Sequence, residues 1–250
     1  MAQLQRHHVV LDLNAGSGLL TFEALRRVPE GGVYACTRTS AEAVALQEQV
    51  AALPELKRPF VLSATLTQLP EVLATQVPDI RFDCIIGRNA LIHEPDKRAA
   101  AKLLAQLLQQ SGVFVLAETV PRHTQRLYRL LDSSKLNADL YQQLVAAEEA
   151  IYSDKLDPMV NWDTDELRVA LEEVGLVVEV DEQRELTQLH ITPALIERWF
   201  ATTSVTNRPS YAAHLAKNLR EEEIRAVKEL FTRSLLYQTV NWESGAIRCV

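Results

Sequence analysis

Short apolar runs alternate with longer stretches whose apolar residues recur every three or four positions, and this alternation fills the first half of the chain. Val9 to Leu13 is almost continuously apolar, as in a parallel strand buried on both faces. Leu19, Leu20, Phe22, Ala24, Leu25 and Val28 then fit a helix, which Pro29 and the Gly31-Gly32 pair stop. The same reading predicts strands at 32–37, 59–65, 82–88 and 113–120. Helices are expected at 41–53, with Ser40 as cap, at 69–77, and from Pro95 to a stop at Ser111-Gly112. Strands alternating with helices of about 10–15 residues make βαβ units. Right-handed crossovers wind them on both sides of one parallel sheet.

The pattern changes after Pro121. Residues 122–153 read as helical and polar, and a helix at 163–174 ends at Gly175. A strand is expected within 176–192, helices at about 193–202, 208–218 and 220–233, and a last strand in 238–250. No repeat, low-complexity tract or Gly/Ser linker interrupts the chain. The expectation is a single domain over 1–250, with a binding half at 1–121 and helical insertions plus final strands at 122–250. Trp162, Trp199 and Trp242 are expected to pack the second half against the sheet. In a helix, Arg122, Arg126 and Arg129 would share one face, with His123 and Lys135 nearby. Such a face is either solvated or meets phosphate or an acidic partner.

The 250 residues are 47% hydrophobic and 24% charged, an ordinary globular balance. No apolar stretch approaches the roughly 20 residues of a membrane span. "MAQLQRHH" lacks the apolar core of a secretory signal, so a cytoplasmic location is expected. Cys36, Cys84 and Cys249 are too few and scattered for a disulfide framework or a zinc spacing, so no metal is expected. Cys36 and Cys84 read as small core residues. A net charge of −7 does not support direct nucleic-acid binding by a generally basic surface, though it leaves room for a local patch.

Candidate chemistry begins at "DLNAGSG". A strand ends at Asp12-Leu13, and Gly16 and Gly18 precede a helix, so backbone N–H groups can meet a carboxylate or phosphate. A tight strand-to-helix connection without ligand has the same look. The dinucleotide fingerprint G-x-G-x-x-G fails, because Thr21 stands where its third glycine belongs. Arg38 after the second strand is nevertheless how some dinucleotide folds accept a 2′-phosphate, and a solvated surface residue is the plainer reading.

"VLDLNAGSGLLT", "FDCIIGRNALIHEPD" and "LLQQSGVFVLAE" follow one another in the order and spacing of class I S-adenosylmethionine-dependent methyltransferases, which the chain resembles over about residues 8–120. "TDELRVALEEVGLVVEV" and "VNWESGAIRCV" carry a weaker echo of that family's last two strands. The resemblance implies a Rossmann-like α/β fold: a doubly wound seven-stranded sheet, mostly parallel with an antiparallel edge, here with a helical insertion. It implies S-adenosylmethionine as cofactor, held by Asp12, Asn14, Ala15, Gly16 and Gly18, with Thr37, Thr65 and Arg88 at the neighbouring strand exits. Two departures stand out. The family's acidic ribose anchor after strand two is replaced by Thr37 and Arg38, and its adenine-binding Asp after strand three by Thr65. A charge-assisted hydrogen bond contributes about 1.5–3 kcal/mol, so losing both would weaken adenosine binding by orders of magnitude.

Candidates for the acceptor side lie after strands four and five: Arg88, Asn89, His93 and Glu94, then Glu118, Arg122 and His123. Asn89 can orient an amine or hydroxyl, or cap backbone groups. His93 suits general-base work near neutral pH, or is a hydrogen-bonded loop residue. Glu118 can bind a cationic substrate or stabilise the next helix start. "GRNAL" lacks the Asn/Asp-Pro-Pro-aromatic motif of amino-methylating DNA enzymes. Two functions stay open: a methyltransferase acting on an unidentified acceptor, and a methyltransferase-like module without catalysis that serves interaction or regulation. The wording of "VLDLNAGSGLLTFEALRRVPEGGVYA" and "IIGRNAL" also resembles the C-terminal region fused in some bacteria to an AAA+ ATPase of the replication-associated recombination type. That likeness implies a longer chain with a covalently fused ATPase as partner.

Overall fold

The computed structural model describes residues 3–202 and 209–250. The first half follows the βαβ expectation. Strands β1 (Val9–Asp12), β2 (Gly32–Thr37), β3 (Phe60–Ser63), β4 (Phe82–Arg88) and β5 (Leu108–Thr119) alternate with helices α1 (Leu19–Arg27), α2 (Ser40–Val50), α3 (Leu69–Gln76) and α4 (Lys97–Leu107). Helices α5 (Ala138–Tyr152) and α6 (Thr164–Glu172) come next, then β6 (Val180–His190), α7 (Pro193–Trp199), α8 (Tyr211–Leu215), α9 (Glu221–Leu235) and β7 (Thr239–Cys249). The seven strands form one sheet in the order β3-β2-β1-β4-β5-β7-β6. β1 to β5 pair in parallel, and β7 runs antiparallel to β5, from Leu116↔Cys249 to Thr119↔Ala246. This is the mostly parallel sheet with an antiparallel edge that the family resemblance implies.

Packing explains why these runs become strands. Val10 and Leu11 have no exposed surface, so β1 is covered on both faces. Val10, Val33, Cys84 and Ile86 pack against Ala24 of α1 and Val28, the residue that caps its end, while Ala35 packs with Leu46 and Val50 of α2. α2 is capped one residue earlier than expected. The Glu42 N–H donates to Thr39 Oγ1, and the Thr39 N–H to the Glu42 carboxylate, each at 3.2 Å. Likewise α4 stops at Leu107 rather than at Ser111. Phe82 pairs with Leu108 but Cys84 with Val113, so the sheet captures the chain early and bulges between them.

The residues divide into two compact units. The first comprises residues 1–119, 162–183 and 246–250, and the second residues 120–161 and 184–245. The second has its own core, in which Trp199 stacks on Trp242 with ring centroids 6.5 Å apart and meets Phe231 edge-on at 6.1 Å. Trp162 belongs to the first unit, where the Lys97 ammonium lies 5.5 Å from its ring.

The expected helix over 122–153 is corrected. Three 3-10 turns, Pro121–His123, Leu127–Leu130 and Ser133–Lys135, precede α5. The cause is Glu148, a buried residue of α5 whose carboxylate accepts the N–H groups of Leu127 and Tyr128. Those donors are thereby lost to an α-helical ladder. The three arginines therefore share no helix face. The start expected for the helix at 208 lies outside the described residues; α8 begins at Tyr211.

Gly18 is the residue on which the first crossover turns. It caps α1 in the left-handed region at φ 82°, and an added Cβ would sit 2.8 Å from both Leu46 and Phe22. Gly18→Ala is expected to destabilise the chain by about 2–4 kcal/mol, from left-handed strain plus overpacking. Urea unfolding would measure it.

Candidate functional site

β1 lies between β2 and β4, where the strand order reverses, and in open α/β sheets ligands bind outside the carboxyl ends of strands at that point. The loop leaving β1 is anchored on both sides. Leu13 N–H donates to Ile86 O (2.9 Å) on β4, and Ala15 N–H to Cys36 O (3.0 Å) on β2. The Asn14 amide donates to Arg88 O at 2.9 Å and to Asn89 O at 3.3 Å. Asn14 thus stitches the loop to the exit of β4. Gly16 is left-handed at φ 48°, and a Cβ there would meet only Asn14 O, at 3.7 Å. Space above this peptide is open to a ligand.

Beneath the loop sits Asp12, wholly buried at the end of β1. Thr21 Oγ1 donates to its Oδ2 at 2.7 Å, and the backbone N–H groups of Asn14 and Thr21 also favour its ionised form. Burial outweighs them and pushes the pKa up to about 6. Its Oδ1 is buried with no hydrogen-bond partner. Thr21 is a site residue that the sequence reading does not single out. The signal was there, in a hydroxyl on the buried face of the helix that follows a strand-terminal acid.

Thr37 and Thr65 are placed at the exits of β2 and β3, but their hydroxyls are occupied. Buried Thr37 Oγ1 lies 3.0 Å from Leu62 O and 3.2 Å from Thr39 O. Thr65 Oγ1 lies 3.0 Å from both Thr67 Oγ1 and Gln68 Oε1. A narrow cleft of about 40 Å³ opens here, lined among others by Leu13, Cys36, Arg38, Thr65, Ala90 and Glu94. Glu94 is the one carboxylate in that lining. Burial raises its pKa, and the nearby charges of Arg38 and Lys97 oppose the rise.

The loop between β4 and α4 is held from β5. Asn89 adopts φ 50°; its N–H donates to Ala117 O, and its Oδ1 accepts the Thr119 N–H, both at 2.9 Å. Glu118 is wholly buried, and its Oε1 accepts the N–H groups of Ala90 (2.7 Å) and Leu91 (3.1 Å). Burial pushes its pKa up to about 7, although the amides of Leu91 and Ala90 and the charge of Lys97 pull the other way. Arg88 and His93 are exposed on the same segment. The structure thus gathers Asp12, Asn14, Arg88, Asn89 and Glu118 around the switch point, with the two threonines at its rim.

A raised carboxylate pKa has a definite linkage sign. Between its ordinary value of 4.5 and about 7, Glu118 keeps a proton in the folded state that the unfolded chain has released. Stability is therefore lost as pH rises through that window. Glu118→Gln cannot ionise, so its stability relative to the parent is expected to climb by about 3 kcal/mol from acid to mildly basic pH. Chemical denaturation at both ends of the window checks this; a pH-independent difference would refute it.

The methyltransferase-domain family profile matches residues 4–175. No curated protein is similar enough to match. Among solved structures, the YcgJ protein of Bacillus subtilis is similar at a TM-score of 0.56 and 16% identity, over 99% of this chain and 92% of that one. The cyclopropane synthase MmaA2 of Mycobacterium tuberculosis gives 0.51 and 16%, over 99% and 79%. The mycolic acid cyclopropane synthase CmaA1, solved with SAH and CTAB, gives 0.51 and 17%, over 99% and 79%. These structures share the fold at low identity. The profile, spanning well over half the sequence, decides the affiliation: the chain belongs to the methyltransferase-domain family.

Proposed function

We propose that the chain is a class I methyltransferase that uses S-adenosylmethionine on an acceptor still to be identified. The observation that carries this reading is the open peptide at Gly16, held over Asp12 by a loop anchored to both β2 and β4. The residues present fit such a cofactor. Asp12 Oδ1 is a buried acceptor without a partner, the Gly16 cradle has room, and the cleft runs to the exits of β2 and β3. Asp12, Asn14, Ala15, Gly16 and Gly18 would hold the methionine end, and Thr37, Thr65 and Arg88 would flank the adenosine. Glu94, reaching the cleft from the β4–α4 loop, is the residue we assign to the ribose hydroxyls in place of the missing acid after β2. When bound, S-adenosylmethionine supplies an activated methyl carbon for in-line displacement.

The chain's own part is positioning. Asn89 has its Oδ1 committed to Thr119 and offers its amide N–H to the acceptor. His93 is the exposed base on that loop. Glu118, sealed beneath, acts as a positioning residue that fixes both through the amides of Ala90 and Leu91. An acyl or phosphoryl transfer role has no comparable support.

A second reading is favoured by one specific observation: the Thr37 hydroxyl is already spent on backbone carbonyls, and the cleft beside it is narrow. In that reading the domain has lost catalysis and serves as an interaction or regulatory module, attached to a replication-recombination AAA+ ATPase as the wording of its first strand and loop suggests. Calorimetry with S-adenosylhomocysteine separates the readings. Saturable heat, weakened about tenfold by Glu94→Gln, supports the cofactor assignment. No heat at millimolar ligand overturns it. Binding without transfer of labelled methyl groups to any cell-extract fraction favours the module.

A further inference from the structure

Four arginines line one cavity inside the second unit. Arg122, Arg126 and Arg129 come from the 3-10 stretch after β5 and Arg184 from β6; with His123 and Glu243 they line about 220 Å³. Two of the four are built into the fold. The Arg126 guanidinium lies 3.6 Å over the Tyr152 ring, donates from Nε to Glu149 (3.1 Å) and from Nη1 to Thr124 O (2.8 Å), and keeps 11% of its side chain exposed. Arg122 donates from Nε to Val160 O at 2.7 Å. Such ties orient a guanidinium before any ligand arrives, which lowers the ordering cost of binding. Arg129 is tied to the Tyr128 hydroxyl at 3.3 Å, and Arg184 lies 3.4 Å from the Glu243 carboxylate.

We propose that this cavity is an anion site of its own, which takes the phosphate or diphosphate group of a small molecule. Four like charges in one concavity repel, and only two carboxylates are set against them, Glu243 in the lining and Glu149 behind Arg126. An incoming dianion relieves that repulsion, and its oxygens match the planar forks of arginine bidentately. The compact volume and the net charge of −7 favour a small ligand over a long polyanion, which a basic track would have to attract along its length. The site lies wholly within the second unit, so it stands whether or not the cofactor assignment does.

Titration calorimetry of the full chain with inorganic pyrophosphate, at ionic strength held constant with sodium chloride, tests the proposal. Saturable binding is expected. The double variant Arg129→Gln/Arg184→Gln should weaken it by at least about tenfold, since two charge-assisted contacts are lost. Arg129→Lys should retain part of the affinity, as a point charge without the fork. Glu243→Gln should tighten binding severalfold, a gain that misfolding cannot imitate. Absence of saturable heat with the parent chain at millimolar pyrophosphate, or undiminished binding by the double variant, overturns the site. A single-stranded oligonucleotide that binds more tightly than pyrophosphate through the same arginines overturns the small-ligand assignment.

Discussion

Two sealed carboxylates organise the carboxyl ends of the central strands. Asp12 on β1 and Glu118 on β5 are both wholly buried, and both spend acceptor capacity on the loops beside them. A buried loop needs partners for its amides, because an unmade hydrogen bond there costs about 1–3 kcal/mol. A carboxylate can satisfy several amides at once, and this advantage is set against the cost of desolvating its charge. The raised pKa values of both groups record that cost. The loops that carry Gly16, Asn89 and His93 therefore take their shape from residues that no solvent reaches.

Much of this architecture is legible in the sequence because it is local or periodic. The apolar runs of β1 and β4 have one stable home, between covering layers, and the helices between them fix parallel order and handedness. What escapes a linear reading is set by distant partners. Residues 122–135 carry a helical pattern, yet Glu148, some twenty positions on, takes the amides that a helix would need. Gln109 to Gly112 look like the end of a helix until β4 offers Leu108 a pairing partner. At the site, Gly16 and Asp12 are legible from their place in a motif. The Thr21 hydroxyl, the commitment of Thr37 to Leu62 O, and the approach of Glu94 to the cleft depend on tertiary geometry.

The exit of β2 shows how far family and chain diverge. No acid directly follows that strand; Arg38 lines the cleft there, and the carboxylate in the lining is Glu94, from the β4–α4 loop. The local charge is rearranged, with one acid and one base sharing a narrow space. Any ligand entering the cleft would have to displace or accommodate the attraction between Arg38 and Glu94.

The three cysteines are all buried, and burial pushes their thiols up to about 12 at Cys36 and Cys84 and about 11 at Cys249. Since the thiolate is the reactive form, none of the three is poised to meet an alkylating reagent while the native state stays shut. Cys36 forms part of the wall of the narrow cleft at the exits of β2 and β3, whereas Cys84 lies in the middle of the sheet on β4. The order in which an alkylating reagent labels them would distinguish breathing of the cleft from rupture of the first unit's sheet, a stopwatch already built into the sequence.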